Sequence, residues 1–196
     1  MAGYTIIADI GNAIIQLLRD HLVPSIIINT EHIGLCNPSD RGDITLCVNL
    51  FDIRENKDIV VTDMQPVGEK QLKYPSTYYD LYYMITSFST SDIKFRAAED
   101  QKILGKVLQV LKDHTTFTAE QLGSEIANTR YVPKIELLQL EHDEKMKLWN
   151  MPNMPYRLSL FYKVYPVEIE SERVKDVARV VDVQLPYRIR SSGGVQ

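Results

Sequence analysis

Little in this chain invites chemistry. Its 196 residues hold two cysteines and four histidines, and none of these stands at a spacing that gathers a metal ion. His21, His32, His114 and His142 fall at expected helix ends or in loops, with no H-x-x-x-H pair, so they read as surface or capping residues. Cys36 and Cys47 are too few to be a disulfide framework and read as reduced thiols. No G-x-S-x-G, Walker or G-x-G-x-x-G pattern occurs, which removes the usual support for hydrolase and nucleotide-binding readings. Positive charge is not in excess: Lys+Arg 22 against Asp+Glu 26 gives a net charge of -4, which offers nucleic acid phosphates no general attraction. No apolar run reaches the roughly 18 residues of a membrane span. The opening MAGYTIIADIG has neither a basic lead nor a small-residue cleavage site, so no signal peptide is expected.

What is present is an ordinary globular mixture, 44% hydrophobic and 24% charged, sufficient for a real core. Ile6, Ile10, Ile14, Leu17 and Leu18 recur at helical spacing, predicting a helix over residues 5–21 that Pro24 ends. Ile26 to Ile28 is a candidate edge strand. Ile44, Leu46, Val48 and Leu50 alternate with polar residues, predicting a strand with one buried face. A second helix carries Ile103, Leu104, Val107, Leu108 and Leu111, and Gly105 within it is expected to lie close against the sheet. After Pro133 the pattern predicts a strand in KIELLQLE, a short acid-led helix in HDEKMKLW and a long strand in YRLSLFYKVYPVEI, where Pro166 marks an edge or bulge. VARVVDVQL is a further strand candidate. Helix, strands, helix, strands gives an α+β fold: a mostly antiparallel or mixed sheet with two long helices on one face. The reading is one domain over 1–196, with an extended arm at 56–77 and a flexible tail at 191–196.

The unusual stretch is YYDLYYMITSFS, residues 78–89. As a strand it places aromatic or apolar side chains on both faces, because successive residues point to opposite sides. The two helices cover one face, and a tyrosine-rich second face without Lys or Arg suits protein contact better than base stacking. A rival reading is a small-ligand-binding or enzymatic domain with a pocket between helix and sheet, around Cys36, His32 and Trp149.

YTIIADIGNAIIQLLRDHLVP, ITLCVNLFDIREN, YYDLYYMITSFS, ILGKVLQVL, LEHDEKMKLWN and PYRLSLFYKVYPVEI occur in that order. From about Tyr4 to Ile169 this ordered set resembles the cap, or tail-terminator, proteins of extracellular contractile injection systems of the anti-feeding-prophage type. The resemblance implies a non-enzymatic structural protein without cofactor. It implies a homohexameric ring on the last ring of the inner tube, ending tube growth and anchoring the sheath. Its partners would be further copies of itself, the tube protein and the sheath protein, with no nucleic acid and no membrane. Assembly would be cytoplasmic, followed by release within the extracellular particle. A closed ring needs two different complementary patches on each subunit; Tyr78 and Tyr82 are the candidates for one, Tyr162 and Tyr165 beside Pro166 for the other. Glu69, Lys70 and Lys73 on the arm are the candidate tube contacts. Arg179, Arg188 and Arg190 are the candidate sheath contacts, by strand addition.

Overall fold

The computed structural model describes residues 3–122, 130–150 and 154–176. Two compact units emerge, one of residues 1–61 and 76–170, the other of 62–75 and 171–196. The first is the α+β body. Its sheet runs β1 (Ile33–Leu35), β2 (Leu46–Glu55), β5 (Thr77–Ser87), β7 (Ser159–Ile169), β6 (Lys134–Leu137). β1 joins β2 in parallel and every other pairing is antiparallel, so the sheet is mixed, as the sequence predicts.

α1 (Ile6–Leu22) and α2 (Ile93–Asp113) pack on one face of this sheet and on each other. The apolar stripe of α1 drives this: Ile6, Ile10, Ile14, Leu17, Leu18 and Leu22 are all buried. Their core partners are Leu46, Val48, Leu81, Tyr83, Ile85, Tyr162 and Val164, inward residues of β2, β5 and β7. Gly11 lets α1 settle onto the sheet edge, because a Cβ there would stand 2.9 Å from Leu35 Cδ1. The helix stops where Val23 turns extended before Pro24.

Three local readings are corrected. Ile26–Ile28 is a turn; the edge strand is Ile33–Leu35, where backbone groups find β2 as a partner. On α2 it is Val110, not Leu108, that completes the buried stripe with Ile103, Leu104, Val107 and Leu111. Gly105 does not approach the sheet, since a Cβ there would meet nothing within 4 Å.

Two bulges shape the strands. The β2–β5 register shifts between Leu50 and Asp52, and the β5–β7 register shifts between Tyr79 and Leu81, opposite the Tyr165–Val167 stretch that contains Pro166. A proline cannot donate to a ladder, so the bulge falls where the sequence placed it. β7 is nevertheless an inner strand, and the edge beside Tyr165 belongs to β6. α3 (Ala119–Leu122) and α4 (His142–Leu148) are short. α4 is opened by a reciprocal capping box between Glu141 and Glu144, the acid-rich start expected of HDEKMKLW.

The second unit contains a three-stranded antiparallel sheet, β3 (Gln65–Val67), β4 (Gln71–Lys73) and β8 (Val174–Asp176). The segment read as an irregular arm thus holds a hairpin, turned at Gly68 with φ +68°. β8 pairs with β4, supported by Gln71 Nε2 donating to Asp176 Oδ1 at 3.0 Å and by the Arg173 guanidinium 4.2 Å over the Tyr74 ring. The strand expected in VARVVDVQL and the tail at 191–196 lie outside the described residues.

Candidate functional site

The sheet face opposite the long helices carries the open surface. Period-two alternation on β2, β5 and β7 sends Arg54, Asp80, Tyr82, Met84, Phe161, Lys163 and Tyr165 to this side. One end of the face is closed by the chain itself. Met84, Phe161, Cys47 and Phe88 form a second apolar cluster with Trp149, which follows α4. The indole Nε1 donates to Ser159 Oγ at 3.2 Å; Ser159 donates to the Arg157 carbonyl at 3.1 Å, and its remaining 2.7 Å partner is the Thr86 hydroxyl. The other end is covered by Tyr131, whose ring stands edge-on to Tyr78 at 5.6 Å.

Between these covers lies a half-exposed strip knit by charged and aromatic groups. Arg54 pairs with Asp52 at 2.6 Å and lies 4.9 Å over the Tyr82 ring. Lys163 pairs with Asp80 at 2.8 Å, lies 4.3 Å from the Tyr165 ring centre, and is flanked by the Tyr165 hydroxyl donating to Glu136 at 2.7 Å. Asp80 also accepts from Asn56 Nδ2 at 2.7 Å, so this nearly buried carboxylate is compensated on two sides. Burial alone would pull the Lys163 ammonium down, but the hydrogen bond and charge of Asp80 outweigh it and the net shift is upward. Phe51, the bulged residue of β2, fills the space between Tyr82 at 6.2 Å and Phe161 at 6.0 Å. These contacts restrict the rotamers of the strip, and a surface ordered in advance loses less entropy in any association.

The four tyrosines assigned to the interface therefore separate. Tyr82 and Tyr165 lie together on this strip. Tyr78 and Tyr162 are each only 3% exposed, and Tyr162 faces the helices instead. Neither offers a free ring to a second copy. The phenols of Tyr78 and Tyr162 are pushed up to about 12, both chiefly by burial, with Glu168 adding to the shift of Tyr78. Glu69 and Lys70 are exposed beside Gly68 at the hairpin turn of the second unit, and Lys73 ends β4. Arg179, Arg188 and Arg190 lie outside the described residues.

The rival pocket finds no support in its own residues. Cys36 packs with Trp149 in the second apolar cluster, and His32 closes a short 3-10 turn. A groove of about 750 Å³ lies elsewhere, between the end of α2 and β6, lined by Leu108, Leu111, Thr115, Ile135 and Leu137 among others. Among the described residues no group of three or more His, Cys, Asp or Glu could hold a metal ion, and no helix is long and apolar enough to cross a membrane.

Residues 9–182 match the family model described as the Pvc16 N-terminal domain. The chain belongs to this family. A fold similar to that of this Pvc16 N-terminal family member is seen in a cryo-EM structure described as the sheath/tube terminator, in the extended state, of PVC, an extracellular contractile injection system. That structure is 19% identical with a TM-score of 0.68, over 99% of this chain and 67% of that one. A second similar structure is described as the anti-feeding prophage cap, a tube-terminating cap, at 18% identity and TM-score 0.64 over 92% of this chain and 61% of that one. The chain thus spans roughly two thirds of the length of the structures it matches. At these identities the likeness is one of fold, and it is the fold the ordered motifs led us to expect. No curated protein matches the chain.

Proposed function

We propose that this chain is a structural cap that closes the distal end of the inner tube of a contractile injection particle, terminating tube growth and anchoring the sheath end. The observation that carries the reading is the fold match over 99% of the chain to a structure described as a sheath/tube terminator. The tyrosine-bearing strip supports it from a separate direction, because a ring-forming subunit needs a preordered patch for its neighbour.

A tube elongates because each ring displays the surface the next one needs. A cap matches that surface and presents no copy of it beyond. The Tyr82 and Tyr165 strip is one half of the subunit contact within a homohexameric ring. The hairpin turn with Glu69, Lys70 and Lys73 meets the tube ring, and the segment with Arg179, Arg188 and Arg190 meets the sheath. Each contact can be weak, since several copies engaging one tube end act together. No cofactor and no catalysed reaction enter this role. The protein assembles in the cytoplasm and leaves with the particle.

Electron microscopy of particles made with and without the protein tests the role. Without it, tubes of uncontrolled length and sheaths detached at the end away from the baseplate are expected; normal particles would sink the proposal. The double variant Tyr82→Glu, Tyr165→Glu should fold yet fail to cap, because it sets added negative charge beside Asp52, Asp80 and Glu136. Undiminished capping by that variant would move the subunit contact elsewhere.

A further inference from the structure

The only two cysteines of the chain, Cys36 and Cys47, have come together. Gly34 is the parallel partner of Cys47 across β1 and β2, so Cys36 stands two residues further along on the same side of the sheet. Its N–H donates to the Val48 carbonyl at 3.2 Å, and the Cys47 thiol donates to the Cys36 carbonyl at 3.1 Å. Cys47 is wholly buried and Cys36 half-buried. We propose that this pair is a latent cross-link: reduced when the chain folds, it closes into a disulfide on meeting a low-molecular-weight disulfide, the end of edge strand β1 moving in because diagonal neighbours stand about 7–8 Å apart, and pins β1 to β2.

The division of labour follows from exposure. Only Cys36 can be reached from solvent, so its thiolate attacks one sulfur of the external disulfide, forming a mixed disulfide and releasing one small thiolate. Cys47 then gives up its proton, its sulfur attacks the Cys36 sulfur, and the bond to the remaining small-molecule half breaks. Two protein thiols have lost two electrons, and one external disulfide has become two thiols carrying the two protons. The surroundings favour this order. The Cys36 thiol lies below its ordinary value, first through its side-chain interaction with Cys47, then, against burial, through the charge of Arg41. Cys47 is pushed up by its hydrogen bond with Cys36 and by burial, which keeps it protonated and leaves the first attack to Cys36. The cross-link would close the 36–47 loop, which includes the 3-10 turn Pro38–Asp40, and remove freedom from the unfolded chain.

The test uses the full chain incubated with oxidised glutathione, read by intact mass and thiol count. Wild type should lose both thiols and two hydrogens of mass, remain monomeric by covalent mass, and melt roughly 4–10 °C higher, reversed by a dithiol reductant. Cys47→Ala should stop at one stable glutathionyl adduct, and Cys36→Ser should not react while folded. Wild type that stops at the adduct, keeps both thiols, or couples to a second chain would overturn the proposal. These outcomes are independent of whether particles are capped.

Discussion

Gly105 shows how a residue's role divides between chain and surroundings. In the sequence it interrupts a good helix, which predicts a close approach to the sheet. In the structure it faces open space. With no contact to protect, Gly105→Ala should stabilise the fold by about 1 kcal/mol, measured by urea unfolding; a loss would reveal a contact made through that bare backbone. The tyrosines carry a second residue-scale prediction. Tyr78 and Tyr162 ionise only near 12 in the fold, against about 10 in an unfolded chain, and burial raises Tyr83 as well. A raised phenol holds its proton longer when folded, so its stabilisation is complete below pH 10 and is lost as pH climbs towards 12. With solvent screening discounted, Tyr78 and Tyr162 should then each cost on the order of 1 kcal/mol of stability over that window. Phenolate absorbance should rise in one steep step together with loss of near-ultraviolet circular dichroism; a gradual titration with the fold intact would contradict it. That Leu81 and Tyr83 face the helices was legible from alternation alone. That Tyr131 covers Tyr78 was not, because no local pattern links residues so far apart.

Among the elements, α4 was legible as a helix and illegible as a lid. Its acidic start and capping box are local properties that HDEKMKLW states by itself. Its place, with Trp149 among Met84, Phe161 and Phe88, depends on the sheet's far face existing first. Trp149→Ala should therefore cost about 3–5 kcal/mol in chemical denaturation. Trp149→Phe should recover the packing but leave Ser159 without the indole hydrogen bond, a loss of about 1 kcal/mol. Equal stability of all three proteins would mean that the second cluster contributes nothing. The misplacement of the edge strand has a related cause. Ile26 to Ile28 has the right composition, but a strand is made by its partner, and β2 offers its edge to Ile33–Leu35.

For the whole molecule, the layered α+β architecture followed from periodicity, whereas the functional reading did not. The proposed role rests on an ordered set of motifs and then on the family and fold that the chain matches. The aromatic surplus that suggested an interface is smaller than the sequence implied, since the chain shields Tyr78, Met84 and Phe88 itself. What remains is the strip around Tyr82 and Tyr165, and the hairpin of the second unit. Exchanging the hairpin charges, Glu69→Lys with Lys70→Glu, should leave thermal stability within about 0.5 kcal/mol. It should lower the affinity of the purified protein for isolated tubes severalfold in a co-sedimentation assay. Unchanged co-sedimentation would release the hairpin from the tube contact.

The pairing of β4 with β8 ties residue 72 to residue 175. A two-stranded hairpin is marginal by itself in water, so the β3–β4 turn gains its third strand only when translation has passed Asp176. A polypeptide that ended between Ile169 and Val174 would carry every strand of the larger sheet, yet its Glu69–Lys70 turn would lack the third strand that supports it.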